Sequence, residues 1–125
     1  MTFKVTIDVN ERLVVSTISG ELNEEGFVNA TSLISSQPGF DPSYSEIIDF
    51  SGVTAGTLST SALVQIAQRE SIFSRKSVHV IVAPKPHIFG LARMAQVYAE
   101  REKPNVVVVQ ILDEARKVLG LEKAG

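Results

Sequence analysis

The stretch EIIDFSGVTAGTLSTSAL (46–63) decides how this chain folds. It opens as an apolar strand, EIIDF (46–50), and closes as the start of a helix in which Ser59 is the N-cap and Leu58 is placed to pack on Leu63. Between the two runs SGVTAGTL (51–58), too small and too polar to read as core. A strand that hands over to a helix in this way is the building unit of an α/β sheet, whose next strand lies parallel to the first. The helix itself reads STSALVQIAQRE (59–70), with Leu63, Ile66, Ala67 and Glu70 on one face and Val64 beside them.

Working outward from this unit, the same alternation repeats towards the C-terminus. SVHVIVAP (77–84) reads as a fourth strand, and PHIFGLARMAQVYAERE (86–102) as a third helix with Pro86 in its first turn, where a missing N–H is not felt. Its inward stripe is Ile88, Leu91, Ala92, Ala95, Tyr98 and Ala99. NVVVVQIL (105–112) is the fifth strand, apolar on both faces at Val106 to Val109, the pattern of an interior parallel strand. Asp113 then caps DEARKVLG (113–120), with Ala115, Val118 and Leu119 inward and Gly120 as its stop.

Towards the N-terminus, FKVTIDV (3–9) places Phe3, Val5, Ile7 and Val9 on one face, and VNER turns the chain into LVVSTIS (13–19). A connection this short implies an antiparallel hairpin, with the first strand a candidate edge. LNEEGFVNATSLISS (22–36) is the first helix, capped by Asn23, stapled by Leu22 on Phe27, and inward at Phe27, Ala30, Leu33 and Ile34. Pro38, Gly39 and Pro42 break the chain after it. The order is ββαβαβαβα, which predicts one α/β domain over 1–125 with a five-stranded, mixed but mostly parallel sheet.

Composition bounds the function. Hydrophobic residues make up 44% of the 125 and charged residues 21%, as in a globular domain with a packed core. With no cysteine, disulfides and thiolate metal sites are excluded. A net charge of -2 argues against a nucleic-acid partner. No apolar run reaches the length of a membrane span, and MTFKVTIDVN is a strand pattern rather than a signal peptide, so a cytoplasmic protein is expected.

The element order, the run IIDFSGV closing the third strand, and the serine-rich start of the next helix resemble the STAS domain. That fold is shared by bacterial anti-sigma-factor antagonists and by the cytoplasmic tails of sulfate transporters. The sequence more closely resembles a bacterial SpoIIAA-like, or STAS-like, sub-group, whose landmarks here are Asp49, FGLARM (Phe89 to Met94) and Asp113 to Ala115. The resemblance implies helices largely on one side of the sheet and a regulatory domain that docks a protein, such as a regulator or a kinase-type antagonist. Antagonist STAS domains carry Asp-Ser-Ser-Gly at the start of the second helix, with a phosphorylated serine. This chain reads TAGTLSTSA there, and Ser59 is nearest to that serine by element.

In parallel α/β sheets, ligands and partners gather at the carboxyl ends of the strands, where helix N-termini point. The residues expected on that rim are Thr57, Ser59 and Thr60 before the second helix and Lys85, His87, Phe89 and Arg93 at the third. Backbone N–H groups there, reinforced by Lys85, His87 and Arg93, would suit an anion. Ser59 caps its helix, and as a phosphorylation site it would carry its charge at the positive helix end. Gly90 implies close approach of a neighbouring group. Phe89, with Met94 and Val97 on nearby flanks, suggests a partner surface or the mouth of an apolar pocket.

The first expectation is therefore a non-catalytic protein-docking domain with no cofactor, self-association through the first strand being an option. The alternative is a binding module for a small anionic or amphipathic, lipid-like molecule, as in the Sec14 domains that this fold resembles in outline, although no long gate helix is evident. A hydrolase built on Asp49, His87 and a seam serine ranks last. No GxSxG elbow is present, Asp49 suits a turn, and His79 and His87 make no metal triad.

Overall fold

The computed structural model describes residues 1–56 and 59–121. The elements are β1 (Thr2–Asp8), β2 (Leu13–Leu22), α1 (Glu24–Ser35), β3 (Ser45–Gly56), α2 (Thr60–Ala67), β4 (His79–Val82), α3 (Pro86–Ala99), β5 (Val106–Val109) and α4 (Leu112–Val118). They form one five-stranded sheet in the order β1-β2-β3-β4-β5. Only β1–β2 is antiparallel; each later pair is parallel. The mixed sheet and the ββαβαβαβα order are those the sequence predicts.

Side-chain alternation divides the sheet into two faces. On one, Ile18, Phe50, Ile81 and Val106 meet Phe27 of α1 and Ile88 and Ala92 of α3 in one core cluster. Val14, Ile34, Tyr44 and Phe73 extend it towards β1. On the other face, Leu13, Ile47, Val80, Val82 and Val109 pack against Ala115 of α4. Three helices thus lie on one side and α4 alone on the other. Lone α4 is tied across the sheet by the Arg116–Glu11 ion pair at 3.0 Å.

The seam is the main departure from the sequence pattern. Residues 51–56 are strand, not loop, and Val53 is wholly buried. The cause is the partner strand: β2 also runs on, through Gly20 to Leu22, and supplies a ladder for the small residues of β3. Two register shifts leave β3 longer than β2 by one residue each, so the extra length is absorbed as bulges. Gly52 is required there, because a Cβ would lie 2.8 Å from the Ser19 Cβ.

Smaller differences have equally local reasons. β5 is an edge strand, not an interior one; its two apolar faces are explained by α3 on one side and α4 on the other. The α4 N-cap is Ile111, and Asp113 sits inside the first turn, where its charge complements the helix dipole. α2 stops at Ala67 rather than Glu70. Val9, Leu33 and Val118, expected inward, are exposed, Val9 because β1 ends at Asp8. Around Gly90 no atom would meet an added Cβ, so close approach is not the reason for that glycine.

Candidate functional site

The described residues expected on the rim lie at the starts of α2 and α3. Ser59 caps α2, its Oγ accepting the Ala62 N–H at 3.1 Å, while Thr60 is exposed in the first turn. Lys85 is the N-cap residue of α3, and its Nζ donates to the Val53 carbonyl at 2.6 Å, tying that loop to the end of β3. His87 and Arg93 are exposed; Phe89 is half-buried and packs against the first core cluster. Thr57, with Leu58 of the proposed staple, lies outside the described residues. Asp49 accepts the Ser51 N–H at 2.8 Å, the seam bond expected of it, but within continuous β3 and not at a turn.

A more enclosed site lies elsewhere, beneath α2. This helix leans on α1 and α3 more closely than on the strands, so a gap opens between it and the sheet. The gap is a cavity of about 190 Å³, lined from above by Leu63, Ile66 and Ala67 and from below by Ile18, Ile48, Phe50 and Ile81. Its size follows from side-chain choice on the walls. α1 contributes Ala30, and α3 contributes Ala92, Ala95 and Ala99, where larger residues would have closed the space.

The cavity floor carries a polar group that the strand register assembles. Glu46 of β3 and His79 of β4 are directly paired Cα neighbours, so their side chains project side by side from the same face. His79 Nδ1 lies 2.9 Å from Glu46 Oε1, and both residues are buried, at 3% and 6% exposure. Ser16, on the same face of β2, donates to Glu46 Oε2 at 3.4 Å. Phe73 meets the imidazole edge-on, with ring centroids 5.0 Å apart. Burying a carboxylate is costly unless it is paired and hydrogen-bonded, and here both oxygens have partners.

Lys103, in the turn before β5, also lines the cavity. Its Nζ donates to the carbonyls of Ala67 at 3.3 Å and Arg69 at 3.4 Å, closing the C-terminal end of α2, where cations are favoured. Burial holds its pKa below the ordinary lysine value, and the Glu46 charge opposes that shift. Among the described residues, no three His, Asp or Glu side chains converge as metal ligands. No helix among them is long and apolar enough to cross a membrane.

Sequence reasoning placed His79 in a strand and went no further. The signal available was phase: Glu46 is in phase with Ile48 and Phe50, and His79 with Ile81 and Ala83, so both titratable groups stand on the sheet face covered by α1 to α3. No protein-family model matches the chain, and no curated protein matches its sequence.

Proposed function

We propose that the chain is a non-catalytic binding module for a small amphipathic molecule, held in the cavity between α2 and the sheet. The observation that carries this reading is a mainly apolar chamber with a compact polar group on its floor and Arg69, Glu70 and Lys103 at the C-terminal end of α2, the usual composition of a ligand site. Its volume of about 190 Å³ exceeds the ~150 Å³ of an engineered apolar cavity that takes up benzene. A long gate helix is not needed, because the eight-residue α2 already roofs the space. The element order and the landmarks at Asp49, FGLARM and Asp113 to Ala115 support counting the module among STAS-like domains. Native mass spectrometry of freshly purified protein tests the reading. A stoichiometric small mass, lost on denaturation, is expected, and a bare mass that takes up no apolar molecule contradicts it.

A second reading is favoured by the Lys85–Val53 bond, which draws the start of α3 to the end of β3. In it, Ser59, Thr60, Phe89 and Arg93 form part of a docking rim for a regulatory protein. Arg93→Glu and Ser59→Glu then abolish capture of that partner; unchanged capture by both variants removes the rim from consideration.

A further inference from the structure

The polar floor of the cavity has one unfilled position. His79 is 3% exposed and its Nδ1 is engaged by Glu46 at 2.9 Å, while Nε2 makes no hydrogen bond among the described residues. Every fully enclosed polar side-chain atom among the described residues does have a partner. Nε2 is therefore not sealed in protein; it opens to the cavity that its ring lines. A carboxylate at Nδ1 fixes the tautomer with the proton on Nδ1, which leaves a lone pair on Nε2. The cavity thus presents a hydrogen-bond acceptor at the bottom of an apolar chamber.

We infer that the ligand is a small neutral molecule with a hydroxyl, a monocyclic phenol or an alcohol of similar bulk, whose O–H donates to His79 Nε2. This inference rests on the cavity being a ligand site and adds the chemistry that the site selects. The volume of about 190 Å³, on the scale set by benzene in an engineered cavity, suits roughly eight non-hydrogen atoms. The lining charges offset one another, Glu46 and Glu70 against Arg69 and Lys103, so no net charge is offered to an ionised ligand, which would lose its hydration in a medium of low dielectric. An apolar isostere fits the chamber but leaves Nε2 without a partner, and this is the situation in which a site built for a hydroxyl discriminates most strongly.

The test compares p-cresol with p-xylene, which differ by O–H against CH₃, and with 4-methylbenzoate, by calorimetry on the intact protein. Glu46→Gln/His79→Phe removes the acceptor without stranding the carboxylate. The preference for p-cresol over p-xylene falls about tenfold in this variant, the equivalent of one hydrogen bond to an otherwise unpartnered buried group. Should the variant not fold, imidazole ¹⁵N spectra of the wild-type protein decide, because His79 and His87 are its two histidines. The His79 Nε2 resonance moves on adding p-cresol and stays put on adding p-xylene. If p-xylene binds while p-cresol leaves Nε2 unmoved, or if 4-methylbenzoate binds most tightly, the hydroxyl inference is overturned and the cavity reading survives. If none of the three binds, both fail.

Discussion

Filling the cavity separates a ligand site from ordinary loose packing. Ala95 of α3 faces the chamber, whereas Ala115 of α4 is wholly buried in the core on the opposite face of the sheet. Replacing either with leucine adds three carbons to a helix, at nearly equal cost in helix propensity. At Ala95 those carbons enter empty space, and at about 0.8 kcal/mol per buried methylene the gain approaches ~2 kcal/mol. At Ala115 they meet atoms already in contact, and overpacking costs about 1–3 kcal/mol. Urea unfolding therefore shows Ala95→Leu more stable than wild type and Ala115→Leu less stable, some 3 to 5 kcal/mol apart by these estimates. Ala95→Leu also loses p-xylene binding, since it consumes the volume that the ligand would occupy, a trade of function for stability. If Ala95→Leu were destabilised as much as Ala115→Leu and still bound p-xylene, the space beneath α2 would not be the ligand site.

Three further substitutions probe the scaffold. Gly90→Ala, in mid-α3 with open space around its Cα, stabilises by about 1 kcal/mol in thermal or urea unfolding; a loss would reveal a contact at that position. Ser59→Ala removes the acceptor for the Ala62 N–H and destabilises by about 1 kcal/mol, with Ser59→Gly closer to wild type; equal losses would mean that Ser59 is not acting as a cap. Lys103 has a folded-state pKa below the 10.5 of its free side chain, so between those two values the unfolded chain binds more protons and stability rises with pH. The stability advantage of wild type over Lys103→Met accordingly grows as the pH rises from the folded-state value towards 10.5 and levels off above it; a difference that stays flat or shrinks contradicts a desolvated ammonium.

Periodicity made the fold legible, because each helix and strand shows its own period and short connections limit topology. The caps at Asn23 and Ser59 and the proline opening α3 were readable from residue type alone. Where local sequence failed, a neighbour supplied what the segment lacked. The small residues of 51–56 become strand because β2 continues beside them, and Val106–Val109 is apolar on both faces because helices flank an edge. The site was less legible for the same reason. Glu46 and His79 meet only through the parallel register of β3 and β4, across 33 positions of chain. The alanines of α3 belong to its inward stripe, and with α2 held on α1 and α3 they leave a chamber there.

The central claim is that a small molecule sits between α2 and the sheet. Isotope-filtered NMR of methyl-labelled protein saturated with p-xylene tests it most directly. The account predicts cross-relaxation from the ligand to the methyl groups of Leu63, Ile48 and Ile81, which face one another across the cavity. Contacts confined to the exposed Met94 and Val97, or none at saturation, would contradict it.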